Sequence, residues 1–119
     1  MSRIRWQSRR NKYGARKVKI DGITFDSKGE ARRYGELRLM EKQGLISRLT
    51  VHPRYDLTVN HQKICTYVAD FEYRDEGNNR RIEDFKGVVT PVFRIKWKLF
   101  EAIHLAKIEI VTAKGRILK

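Results

Sequence analysis

The chain of 119 residues has one cysteine, and nowhere does it approach the roughly 18 consecutive apolar residues that a membrane-spanning helix needs. Cys65 alone cannot form an internal disulfide. His52, His61 and His104 are scattered, and no His/Cys cluster has zinc-site spacing, so all three read as structural. The start of the chain, Met1 to Trp6, is basic but is not followed by an apolar stretch, which argues against a secretory signal. Acid is the other scarcity. The net charge is +13, from 27 Lys plus Arg against 14 Asp plus Glu. Residues 1–20 carry eight basic side chains and no acid, and residues 92–119 carry seven basic and two acidic. Residues 21–91 hold twelve of each sign and sum to zero. A soluble, cytoplasmic protein with an anionic partner is expected, and nucleic acid fits that partner best. An anionic membrane fits less well, because the basic arm has no sustained apolar face.

What is present reads as one mixed α/β domain at 17–119 behind a basic, flexible arm at 1–16. Lys17-Val18-Lys19-Ile20 alternates, Asp21-Gly22 marks a tight turn, and Ile23-Thr24-Phe25 resumes, which is a hairpin signal. Ser27 with Glu30 three residues on fits a capping box, followed by Ala31, Tyr34, Leu37 and Met40 at helical spacing and Gly44 as a stop. Strand-like runs follow at 55–59, 64–73 and 80–86, and the turn at 75–79 suggests that the last two pair antiparallel. Thr90-Pro91 opens a second helix, for which Val92, Ile95, Leu99, Ala102, Ile103 and Ala106 are the expected apolar face. Residues 108–111 read as a closing strand. The expected order is β-hairpin, helix, three strands, helix, strand, in a mixed central sheet with flanking helices.

Chemistry concentrates between Tyr67 and Gly87. Side chains on a strand alternate faces, so Asp84 and Lys86 share one face and Glu83 and Phe85 the other. Asp70 stands among apolar Val68, Ala69 and Phe71, where a carboxylate is costly unless something compensates it. If the strands carrying them pair, Asp70 and Asp84 approach each other, and a divalent cation relieves their repulsion. Hard oxygen ligands suit Mg²⁺, with Mn²⁺ as a substitute, over zinc. Lys86 beside such a site could orient a water and stabilise charge on a phosphate oxygen, the parts that phosphodiester hydrolysis uses. Glu30, from the first helix, would complete the set of carboxylates.

At this point the pattern resembles the PD-(D/E)XK nuclease superfamily. It is similar, more narrowly, to small phage-encoded endonucleases related to Holliday-junction resolvases. Three runs of those proteins, F-D-S-K-x-E, Y-x-A-D-F and E-D-x-K-G-x-x-T-P, correspond here to Phe25 through Glu30, Tyr67 through Phe71 and Glu83 through Pro91. The resemblance implies a restriction-endonuclease-like core and a Mg²⁺-dependent endodeoxyribonuclease cutting four-way junctions or other branched DNA. It implies Glu30, Asp70 and Asp84 as metal ligands, Lys86 as the fourth catalytic residue, and a homodimer, since symmetrical cutting of a junction needs two active sites. A phage-encoded protein would act in the host cytoplasm. Many members have Glu where this chain has Asp84, which leaves Glu83 as a rival ligand if the strand is bulged.

Each residue also has a plainer reading. Glu30 could only cap its helix, Asp70 could be a strand-end carboxylate in solvent, and Asp84 with Lys86 could be a surface ion pair worth at most about 1 kcal/mol. Arg94, Lys96 and Lys98 could be a solvated face, although Trp97 and Thr90-Pro91 beside them favour phosphate contact. Arg3, Arg5, Arg9, Arg10, Lys12 and Arg16 have no acid among them and read as phosphate-tracking. The rival functions are a non-catalytic nucleic-acid-binding protein and a nickase or restriction-type nuclease on linear duplex. Deleting residues 1–16 is expected to weaken binding to a four-way junction and to lower the slope of log affinity against log salt by several units. Titrations of full-length and truncated protein across a salt series check this, and an unchanged slope shows that the arm does not touch phosphate.

Overall fold

The computed structural model describes residues 17–112 and 117–118, and it is an α/β protein with a mixed sheet. By its internal contacts the chain divides into two units, one up to Glu36 and one from Leu37 onward. Among the described residues no helix is long and apolar enough to cross a membrane.

In the first unit, strands β1 (Val18–Ile20) and β2 (Ile23–Phe25) form the expected hairpin. Its turn residues Asp21 and Gly22 both have positive φ, 53° and 78°, as a two-residue turn matching strand twist requires. Asp21 also accepts a hydrogen bond from the Tyr34 hydroxyl at 2.8 Å, and the Tyr34 ring lies 5.0 Å from that of Phe25. Helix α1 (Lys28–Lys42) starts where Ser27 Oγ accepts the backbone N–H of Glu30 at 3.1 Å. The helix ends in the second unit. There Gly44, at φ 80°, donates to the Glu41 carbonyl and Leu45 to the Met40 carbonyl, the paired bonds of a Schellman cap.

The second unit holds a five-stranded sheet in the order β3-β6-β7-β8-β9 and a separate hairpin, β4-β5. The strands are β3 (Ser47–Val51), β4 (Arg54–Val59), β5 (Gln62–Val68), β6 (Phe71–Arg74), β7 (Arg80–Lys86), β8 (Ile108–Thr112) and β9 (Ile117–Leu118). Helix α2 (Pro91–His104) connects β7 to β8, and these two strands are the sheet's parallel pair, which needs such a crossover. The turn at 75–79 makes β6 and β7 antiparallel, as expected, with Phe71 opposite Glu83.

The strand count differs from the sequence reading. Strand β3 had no counterpart, because its pattern is broken by a register shift and by Arg48 at φ 56°. The run 64–73 is two strands: Ala69 and Asp70 leave the ladder, and the chain passes from the β4-β5 hairpin into the five-stranded sheet. Strand β9 also went unread.

Helix α2 opens as its sequence suggests, with Thr90 Oγ1 accepting the Phe93 N–H at 3.1 Å and Pro91 in the first turn. The face it buries is the expected one only in part, since Leu99, Ile103 and Ala106 pack against the core. Phe93, Trp97 and Phe100 are buried, while Val92 and Ile95 are 64% and 67% exposed. Both stripes satisfy the helical period, and the aromatic one prevails because each ring removes more apolar area from water. It packs into a core with Tyr55, Leu57, Tyr67, Ala69, Ile82, Ile108 and Ile110. His104 continues that face, its ring 4.5 Å from that of Phe100, and burial followed by the charge of Arg80 lowers its pKa. Glu101 fastens the end of the crossover by accepting from Trp97 Nε1 at 2.8 Å and from the Ile108 N–H at 3.0 Å.

The two faces of α2 should separate cleanly in urea unfolding followed by circular dichroism. Phe100→Ala is expected to lower stability by about 3–5 kcal/mol, whereas Ile95→Ser should change it by about 0.5 kcal/mol or less. Equal losses would show that the outward face is packed.

Candidate functional site

Strand β7 sets the site's geometry. It pairs with β6 on one side and β8 on the other without a bulge, so side chains alternate strictly along it. Glu83 therefore stays on the face opposite Asp84, buried, where it accepts the Tyr73 hydroxyl; its rivalry as a ligand required a bulge that is not there. Ile82, Asp84 and Lys86 form a row on the other face. Ile82 belongs to the core, Asp84 is 2% exposed, and Lys86 is half-buried with its ammonium 4.2 Å from the centre of the Phe93 ring. The row thus runs from oil to water over three alternate positions, and the carboxylate sits at the crossing point.

Asp70 reaches the same place from the end of β6. Its N–H donates to the Glu83 carbonyl at 3.1 Å, and its own carbonyl accepts the His52 N–H at 2.9 Å. Its carboxylate accepts the Phe85 N–H at 2.7 Å, taking the partner that a continued β6 would have supplied from its backbone. Asp70 is half-buried, not a solvent-facing strand end.

The two carboxylates lie within hydrogen-bond reach of each other. Burial first, and the Asp70 charge second, push the pKa of Asp84 up to about 7, against the opposing pull of Lys86 and of the Tyr67 hydroxyl. Lys86 Nζ is 3.7 Å from Asp84, and Tyr67 donates its O–H to the other oxygen of that carboxylate. Burial and the adjacent Asp84 raise the pKa of Tyr67, so it remains a donor. Asp70, Asp84 and Lys86 are thus brought together as their spacing implied.

Tyr67 and His52 were missed. Tyr67 sits inside the quoted Tyr67-Val68-Ala69-Asp70 run, but only the pairing across α2's core reveals that it serves Asp84. A ring nitrogen of His52 lies within 4.8 Å of an Asp70 carboxylate oxygen, and no spacing in the sequence signals this. His52 follows β3 at φ 54°, a placement set by its backbone bond to Asp70. Asp70 and His52 are thus groups of this unit that could serve a metal ion, and the Asp70 carboxylate is a hard oxygen donor.

Glu30 is at the third position of α1 and is buried, and its backbone N–H makes the cap bond to Ser27. Arg94 and Lys98 lie exposed on α2, whereas Lys96 turns back to donate to the Thr66 carbonyl at 3.2 Å. Arg3, Arg5, Arg9, Arg10, Lys12 and Arg16 lie outside the described residues.

A family model described as "Protein of unknown function (DUF1064)" matches residues 10–115 of the chain. Neither the curated proteins nor the solved structures give a match.

The Asp84 pKa carries a stability signature. An acid raised in the folded state contributes stability below its unfolded pKa, near 4, and that contribution is lost as pH rises through about 7. Asp84→Asn imitates the protonated acid, accepting from Tyr67 and donating to Asp70, without a charge to bury. In EDTA, urea unfolding near pH 4 should give similar stabilities for both proteins. At pH 8.5 the variant should be more stable, by on the order of 2 kcal/mol. A difference independent of pH would show that Asp84 is not the buried titrating group.

Proposed function

The chain belongs to this family, a membership that names no reaction, and we propose from its own residues that it is a metal-dependent endodeoxyribonuclease acting on branched DNA such as four-way junctions. One observation carries the reading. Two carboxylates, Asp70 and Asp84, meet at the end of a buried strand with the Lys86 ammonium 3.7 Å from the second. Like charges held that close and that deep are costly, and a divalent cation between them would relieve that cost. The donor set fits Mg²⁺ or Mn²⁺, which Asp70 and Asp84 would hold. Such an ion supplies charge neutralisation at the phosphate and a more acidic water.

The remaining work falls to the chain. Phe85's backbone fixes the Asp70 carboxylate, and Tyr67 fixes that of Asp84, so neither ligand must be ordered when substrate arrives. Lys86, held between Asp84 and the Phe93 ring, supplies a positive charge for a phosphate oxygen and a donor to position the attacking water. Glu30 enters as a third ligand on the sequence resemblance, which also suggests the restriction-endonuclease-like core. The order of helix, antiparallel strands, crossover helix and parallel strand agrees with such a core. A homodimer would place two such sites on the two strands to be cut.

Cleavage of a four-way junction and of matched linear duplex, with and without Mg²⁺, tests the proposal. Wild type should cut the junction only with the metal. Asp70→Asn, which can still accept the Phe85 N–H, should lose roughly 100-fold or more of the rate, since an ion stabilises the transition state by several kcal/mol. Full activity in Asp70→Asn would overturn the assignment. Binding of the junction without cleavage would favour a non-catalytic binder, and equal cutting of linear duplex a nickase or restriction-type enzyme.

A further inference from the structure

Helix α2 carries a second apolar stripe that the fold leaves outward. Val92, Ile95 and Ala102 lie outward at helical spacing, while Leu99 beside them packs against the core of Phe93, Trp97 and Phe100. Val92 and Ile95 are about two-thirds exposed, Ala102 is exposed and Leu99 is partly buried. Arg94 and Lys98 flank the stripe, both exposed, and the helix's one acid, Glu101, is engaged with Trp97 and Ile108.

An outward apolar stripe calls for a cover, and charge selects which. A second copy of the chain would bring its own Arg94 and Lys98 against these. Its contact would also be small. A 14-residue helix is about 21 Å long and about 10 Å wide, so one face offers on the order of 200 Å², against about 800 Å² per partner in a stable complex. Nucleic acid matches both features, provided that its bases are accessible, since phosphates suit the cations and unstacked bases suit the aliphatic side chains. A fully paired duplex offers only the phosphates.

We infer that this outward face of α2 grips unpaired bases at a DNA branch through Val92 and Ile95, with Arg94 and Lys98 on the adjoining phosphates. The inference rests on the DNA-cleaving reading above and adds to it a preference for DNA with exposed bases over fully paired duplex.

The test is binding in EDTA, without cutting, to a duplex with a central unpaired segment and to a fully paired duplex of the same length. Wild type should favour the unpaired probe by roughly fivefold or more, about 1 kcal/mol. Val92→Ser/Ile95→Ser, with its urea midpoint checked, should lose that preference while still binding the paired duplex. Arg94→Gln/Lys98→Gln should weaken both probes and lower the salt slope by about 1.5 to 2. A serine variant that keeps the preference, or a wild type that has none, overturns the inference. A serine variant that turns a dimer into a monomer in sedimentation overturns it in favour of self-association. Mg²⁺-dependent cleavage with stripe-independent binding would leave the nuclease standing without this inference. Stripe-dependent binding by a protein that never cuts would do the reverse.

Discussion

The hydrogen bond from the Phe85 N–H to the Asp70 carboxylate is the constraint from which the site follows. A strand that loses its neighbour leaves backbone donors unpaired, and a buried one must find another acceptor. The pairing of β6 with β7 stops at Phe71 and Glu83, so β7 loses that neighbour three residues before its own end. Asp70 makes up the loss with its side chain, and its backbone atoms bond Glu83 and His52 on either side. The residue that ends one pairing thereby becomes the residue that faces Asp84. Moving it would break a ladder, which is why its position is defined so closely.

Around that bond the electrostatics are organised by depth. Asp84 is buried, Asp70 and Lys86 are half-buried, and Tyr67 supplies a neutral donor from within the core. A carboxylate with these neighbours has its pKa raised toward neutrality, to about 7. Depth does not separate Glu83 from Asp84, since both are buried; strict alternation along β7 puts Glu83 on the opposite face, against Tyr73.

Local signals were legible in the sequence; competition between tertiary partners was not. Asp21-Gly22, Ser27 with Glu30, Gly44 and Thr90-Pro91 each act through neighbouring backbone, and each stands where its residue type indicates. The two stripes of α2 have equal periodicity, and only the core to be filled could choose between them. Likewise 64–73 is uniformly strand-like in composition, and its division at Asp70 comes from hydrogen bonds to His52 and Glu83, far off in the chain. Spacing brought Asp70, Asp84 and Lys86 together because pairing through a short turn is nearly local. His52 arrives from another strand's end, so its approach to Asp70 left no trace in the sequence.

The parallel pairing of β7 with β8 also sets an order in time. Asp84 lies opposite Ile110, which emerges from a ribosome well after it, beyond the whole crossover helix. Until that later strand exists, β7 lacks one of its two neighbours and the core over Asp84 is open to solvent. In a growing chain this carboxylate is therefore an ordinary acid. It becomes an unusual one only as the crossover helix and β8 dock, so chains that stop before them would carry the site's residues without its properties.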